Sequence, residues 1–277
     1  GRLYLSAYGA GVYRSDDKGT TWFNPDSLST TLGNLFVRDL VAVPGQSGHL
    51  YAGAGNGVWE SLDGASTWNQ KSNGLPGVFS VRSLAVVAGS PPALFVGSDS
   101  AGVWKSTNGG TSWAAATTGI PTPFIHYLMA DSGSALTVFA ATDSGVYRTT
   151  NGGASWAPLR SGLPYGVNAG VRALVQDQIN SQVMFAGLFG GGVYESLDRG
   201  LTWSPVFAQS GLGNLNVRSL AVDGVRKTIY AGTDNGVWSL SLYITPVSVG
   251  PGSRSLALAL GTWPNPSRGT VVQLDFV

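Results

Sequence analysis

The chain has 277 residues, with 16 Lys and Arg against 15 Asp and Glu, and a formal net charge of +1. It contains no cysteine, which excludes disulfides and thiolate metal sites, and no polybasic run points to nucleic acid or an anionic membrane surface. The 40 glycines and the charged content of only 11% suit many short strands joined by tight turns, and no stretch approaches the roughly 18 uninterrupted apolar residues of a membrane span.

Strand character begins at once, with Leu3-Tyr4-Leu5, so the pattern predicts further residues upstream of Gly1. Gly11-Val12-Tyr13 follows, and then an eight-residue box at 15–22 (SDDKGTTW). The box returns at 61–68 (SLDGASTW), 106–113 (STNGGTSW), 149–156 (TTNGGASW) and 196–203 (SLDRGLTW). Its closing tryptophans, Trp22, Trp68, Trp113, Trp156 and Trp203, are 46, 45, 43 and 47 residues apart. A period near 45 signals one supersecondary unit repeated along the chain.

Between boxes the same apolar segments recur. Strand A opens at Val37, Val81, Ile125, Val171 and Val217, and strand B at Leu50, Leu94, Val138, Met184 and Ile229. Strand C is Gly-Val followed by an aromatic (Trp59, Trp104, Tyr147, Tyr194, Trp238), and strand D follows the tryptophan. The aromatic row of strand C, which includes Tyr13, is expected in the core. Four strands per unit at this period describe the blade of a β-propeller, an all-β fold. Six units are visible, a partial one included; six blades are favoured and seven remain open.

The box is a turn between strands C and D. The side chains of Asp17, Asp63, Asn108, Asn151 and Asp198 are expected to accept backbone N–H groups, and glycine to supply the positive φ. The second copy has Gly64-Ala65 where the others place glycine second, so its turn is expected to differ slightly. The tryptophan is expected to fold back into its own blade. These residues are similar to the Asp-box, or BNR, repeat, and the surrounding V-R-x-L-A-V, [LV]-[YF]-A-G and G-V-[YW]-x-S segments resemble the same family over residues 1–243. The resemblance implies that the box is structural and not a metal site, and no metal or cofactor is expected. The family includes sialidases, xyloglucanases, the sortilin luminal domain and the photosystem II stability/assembly factor.

Residues 244–253 read as a linker. The Trp263-Pro264-Asn265-Pro266 segment and the strand-like run after it, within 254–277, resemble the opening of an Ig-like C-terminal domain of the type IX secretion sorting kind. The competing expectation is that residues 254–260 add an edge strand to the propeller.

The second residue of every complete strand A is a cation: Arg38, Arg82, His126, Arg172 and Arg218. In a propeller this position and the B–C turn share a face, so the five are expected to ring one rim. Phe36, Phe79 and Phe124 stand just upstream, and Phe189 occupies a glycine-rich B–C turn. Arg with aromatics is the composition of protein interfaces. The plainer reading has each cation paired with a turn acid such as Asp99, Asp143 or Asp234. A glycosidase needs two carboxylates about 5–10 Å apart; Glu60 and Glu195 fall at the wrong end of strand C, and Asp39, Asp99, Asp143 and Asp234 form no recognisable acid–nucleophile pair. No catalytic residue is named. The reading is a non-catalytic, extracytoplasmic scaffold of bacterial type that binds protein partners, an accessory subunit or assembly factor on a membrane complex such as a photosynthetic one. The alternative is a secreted glycan-binding or glycan-hydrolysing propeller.

Overall fold

The computed structural model describes residues 2–25, 32–77, 79–166, 170–206, 212–241 and 260–261. Its compact units are two, the first running to Pro158 and the second starting at Leu159, so that the division falls within one strand. In the first unit, β1 (Leu3–Ala7) and β2 (Gly11–Ser15) form a two-stranded sheet. A four-stranded sheet follows, of β3 (Val37–Ala42), β4 (Leu50–Ala54), β5 (Gly57–Ser61) and β6 (Asn69–Gln70). The next is β7 (Val81–Val87), β8 (Ala93–Ser98), β9 (Val103–Ser106) and β10 (Ala114–Ala115). The last of this series is β11 (Ile125–Ala130), β12 (Val138–Thr142), β13 (Gly145–Thr149) and β14 (Ala157–Leu159).

The second unit holds β15 (Val171–Gln176), β16 (Met184–Leu188), β17 (Gly192–Ser196) and β18 (Ser204–Pro205). Its other sheet is β19 (Val217–Asp223), β20 (Thr228–Thr233), β21 (Gly236–Ser241) and β22 (Leu260–Gly261). Strands consecutive in the chain are neighbours in every sheet, and each A–B and B–C pair is antiparallel. Leu260 and Gly261 pair with β21, and the remainder of the region read as linker and Ig-like domain lies outside the described residues.

Strands B and C carry the core. β4, β5, β12 and β16 are buried along their whole length. A glycine in strand B admits the next sheet. A Cβ on Gly53 would collide with Val81, one on Gly97 with Ile125, and one on Gly187 with Val217. Val81, Ile125 and Val217, the first apolar residues of their strands A, thus each seat in a notch of the sheet before, which explains the V-x-x-L and [YF]-A-G signatures there together.

The box closes by the bonds its residues allow. Ser15 Oγ accepts Gly19 N–H at 2.7 Å, and Asp17 accepts Thr21 N–H at 2.9 Å. The same pair of bonds recurs on Ser106 with Asn108 and on Ser196 with Asp198. Thr21 Oγ1 adds a third bond, and these donors hold the Asp17 carboxyl down to about 2.

Two successive residues are left-handed in all five copies: Lys18-Gly19, Gly64-Ala65, Gly109-Gly110, Gly152-Gly153 and Arg199-Gly200. The second copy therefore does not differ in its turn: Ala65 takes φ 70° and its N–H still reaches Ser61 Oγ at 2.9 Å. The bonds to the Ser and Asp side chains outweigh the roughly 1–2 kcal/mol cost of a left-handed alanine.

The tryptophans correct a second expectation. Trp113 Nε1 donates to Lys71 O, Trp156 to Ala116 O and Trp203 to Leu159 O, in each case to the end of the preceding sheet's fourth strand. The indole clamps one sheet to the next instead of folding into its own. Trp22 differs, donating to Gly19 O within its own box.

Candidate functional site

All five cations sit on a β-bulge. The A–B register slips between Val37 and Asp39, Val81 and Ser83, Ile125 and Tyr127, Val171 and Ala173, and Val217 and Ser219. The skipped residues are Arg38, Arg82, His126, Arg172 and Arg218. A bulged residue leaves the ladder and its side chain is re-aimed, so each cation turns toward the B–C turns at that end of its sheet.

The acids of those turns meet them. In the first unit Arg38 and Arg82 share Asp99, Arg38 at 3.0 Å, and His126 Nε2 lies 2.7 Å from Asp143. In the second unit Arg218 bonds Asp234 at 2.7 Å, and with Asn216 it holds that carboxyl below its ordinary value. The residue after the bulge points the other way. Asp39 is buried; it accepts Ser83 Oγ and Leu84 N–H of the next sheet, and Ser83 Oγ in turn accepts Leu128 N–H.

A second device recurs in both units. Tyr8-Gly9-Ala10-Gly11 and Phe189-Gly190-Gly191-Gly192 are aromatic-glycine B–C turns, and each reaches the lead-in of the following strand A. Gly9 and Gly11 N–H bond Leu35 O, and Gly190 and Gly192 N–H bond Leu215 O. The following sheet's arginine then covers the aromatic: Arg38 stands 5.4 Å from the Tyr8 ring and Arg218 4.8 Å from the Phe189 ring, with Arg172 5.5 Å from Phe189 as well. Phe36 packs tilted against Tyr8, 5.0 Å between centroids.

Tyr8 (65% exposed), Phe36 (48%) and Phe124 (46%) are open to solvent, and Leu35 joins them. Tyr8 was not anticipated from the sequence, although its aromatic-glycine turn matches that of Phe189. Phe79 was expected beside Phe36 and is not there: it is buried, edge-on to Trp104.

The remaining acids belong to the opposite end. Glu60 lies in a buried cluster where Tyr51 Oη, His49 Nε2 and Lys71 Nζ converge on it at 2.7, 2.9 and 3.1 Å. Burial pushes its carboxyl up, and the three partners together bring it below the ordinary value. Glu195 occupies the same register opposite Phe185, and burial alone raises its carboxyl. Among the described residues no three His, Asp or Glu side chains gather as a metal site, and no helix is long and apolar enough to cross a membrane.

The fold is an all-β propeller, five of its sheets four-stranded among the described residues. No protein-family model and no curated protein matches the sequence. Solved propellers do resemble the structure. An ancestral GH74 enzyme matches with TM-score 0.69 and 21% identity over 86% of this chain and 34% of its own. The extracellular domain of a hybrid two-component system from B. thetaiotaomicron matches at 0.64 and 16% identity, over 95% of this chain and 32% of its own. YCF48 bound to D1 peptide matches at 0.59 and 16% identity, over 87% and 75%. The chain spans about a third to a half of the GH74 enzymes it matches. At such identities the likeness is one of fold.

Proposed function

We propose that the chain is a non-catalytic, extracytoplasmic scaffold that binds a protein partner at the A-strand end of its sheets. The observation that carries this reading is the exposed Tyr8–Phe36 pair beside Arg38, Asp99 and Arg82. Solvent-facing aromatics next to half-buried guanidinium groups are the side chains enriched at binding hot spots. Asp99 and Asp234 are engaged by arginines and Asp143 by the His126 ring, which weakens an enzymatic use of the same acids.

The finer reading is an accessory subunit or assembly factor docked on a membrane complex, of which a photosynthetic one is an example. The likeness to YCF48, seen in one structure with a D1 peptide, supports it. The likeness to GH74 enzymes supports the alternative, a secreted propeller that binds or hydrolyses a glycan.

Capture from the native membrane fraction tests the proposal. Arg38→Glu with Arg82→Glu, and separately Tyr8→Ser with Phe36→Ser, should each weaken the captured partner at least about tenfold, or about 1.4 kcal/mol, with the fold intact by melting. Undiminished capture by both variants would remove this end of the sheets from the interface. Glycan turnover abolished by Asp99→Asn would overturn the scaffold itself.

A further inference from the structure

An asparagine loses its side-chain amide when the backbone nitrogen of the next residue reaches its Cγ. A following glycine, with no Cβ in the way and a permissive backbone, makes that approach easiest. The chain holds five Asn-Gly pairs: Asn56-Gly57, Asn73-Gly74, Asn108-Gly109, Asn151-Gly152 and Asn235-Gly236. All five asparagines are exposed, so exposure does not rank them. The bonds around them do.

Three pairs are pinned by the boxes. Asn108 Oδ1 accepts Ser112 N–H at 2.9 Å while Nδ2 donates to Ser112 Oγ at 2.9 Å, and Asn151 repeats both bonds with Ser155 at 3.0 and 2.9 Å. The nitrogens that would attack are engaged as well: Gly109 N–H donates to Pro92 O at 3.2 Å and Gly152 N–H to Leu136 O at 2.9 Å. Asn73 O accepts Trp113 N–H at 3.2 Å, and Gly74 packs on the Trp113 backbone, so this pair turns only by lifting a box.

The other two pairs occupy one place in the repeat. Asn56-Gly57 closes the hairpin of β4 and β5, where Ala54 faces Gly57, and Asn235-Gly236 closes that of β20 and β21, where Thr233 faces Gly236. The glycines have φ of 115° and 103°, and a tryptophan stands at the same spacing beyond each asparagine. In the first hairpin Trp59 Nε1 donates to Asn56 Oδ1 at 3.0 Å, and Gln70 Nε2 donates to Asn56 O at 3.2 Å. In the second, Trp238 Nε1 is buried with no partner among the described residues, and Asn235 is tied by its backbone N–H to Thr233 Oγ1 at 3.2 Å. β4 and β5 are buried throughout, whereas β20 and β21 are largely half-buried, so the second hairpin opens at lower cost.

We propose that the fold selects Asn235 as a site of spontaneous deamidation, the first of the five to convert. Gly236 N bonds to Asn235 Cγ and gives up its proton, the Cγ–Nδ2 bond breaks, and ammonia leaves a succinimide. Water then opens that ring at either carbonyl, giving aspartate or isoaspartate at 235. The new carboxylate follows directly on Asp234, which already accepts Arg218 and Asn216. A neutral position at the A-strand end of this sheet thus becomes anionic, and isoaspartate also adds a methylene to the backbone of the turn.

Ageing of the full chain in mildly alkaline buffer, followed by peptide mass mapping and isoaspartyl-methyltransferase labelling, tests the proposal. Conversion at 235 should run at least about tenfold faster than at 56, 73, 108 or 151, about 1.4 kcal/mol in barrier. In guanidinium chloride, where the pinning bonds are lost, the five rates should converge. Asn235→Gln should remove the early product. Earlier conversion at another pair, equal rates in the folded chain, or a lead for 235 that persists in denaturant would each overturn the selection by the fold.

Discussion

Gly119 lies so close to the carbonyl oxygen of Trp156 that a Cβ on it would overlap that atom, while Trp156 N–H donates to Thr118 O at 2.9 Å. Gly74 stands in the same relation to Trp113, at 2.9 Å for the added atom, and Gly162 to Trp203. The Gly-[Leu/Ile]-Pro linkers are therefore the seats on which the next box rests. All three glycines have φ near 90° as well, so both space and backbone exclude a side chain.

Gly119→Ala should destabilise the protein by about 3 kcal/mol or more, the left-handed cost of about 1–2 kcal/mol plus displacement of the Trp156 backbone. Gly45→Ala is the matched control: φ is 75° and nothing lies within 4 Å of the added atom. It should cost only the backbone share. Equal losses for the two in denaturant titration would show that the contact with Trp156 carries no stability.

The Ser83 hydroxyl has no counterpart at Ala173. Ser83 Oγ accepts Leu128 N–H across a sheet boundary, and Asp39 does the same for Leu84. Ala173 faces Gly187 as Ser83 faces Gly97, and the corresponding next residue is Leu220. Ala173→Ser should stabilise by about 0.5–1.5 kcal/mol, the net value of one buried hydrogen bond. Ser83→Ala should lose about 1–3 kcal/mol, since it strands Leu128 N–H. Chemical denaturation of the two variants in parallel checks both signs.

Acid should weaken the protein through its boxes. Thr21 chiefly holds Asp17 at about 2; at Asp63 burial pushes up but Thr67 and Ser61 prevail, and Asp198 is lowered chiefly by Thr202. A carboxylate lowered on folding contributes stability above its unfolded value, about 4, and loses it as pH falls through the folded value. Stability should therefore drop between about pH 4 and 2. Replacing Asp17, Asp63 and Asp198 by Asn, as Asn108 and Asn151 already stand, should flatten that slope.

Glu195 has the opposite sign. Its raised carboxyl costs stability above the folded value and nothing below the unfolded one. Glu195→Gln should be more stable than the parent at pH 7 and converge with it below about pH 4. Urea midpoints across pH read both effects.

The strands, their order and the boxes were legible because each rests on local chemistry repeated five times. What was not legible depended on neighbours some 40 residues away. Trp156 bonds Ala116 O, a carbonyl that no local pattern marks. Phe79 shows the other failure. Phe36 and Phe124 immediately precede the first buried residue of their strands, so they fall on the open side. Phe79 precedes Val81 by two, and extended backbone alternates sides, so it shares the buried face of Val81. Counting from the valine instead of the arginine would have separated them. The pairing of cations with Asp99, Asp143 and Asp234 was legible; the bulge that makes it possible was not, since bulged and regular strands read alike here.

The bulge also separates inheritance of shape from inheritance of chemistry. A residue outside the ladder can be exchanged without touching the hydrogen-bond lattice on either side, and position 126 carries histidine where the other repeats carry arginine while its strand keeps their register. Repeats can thus differ by one letter at the exposed end of the sheets while the scaffold beneath stays the same.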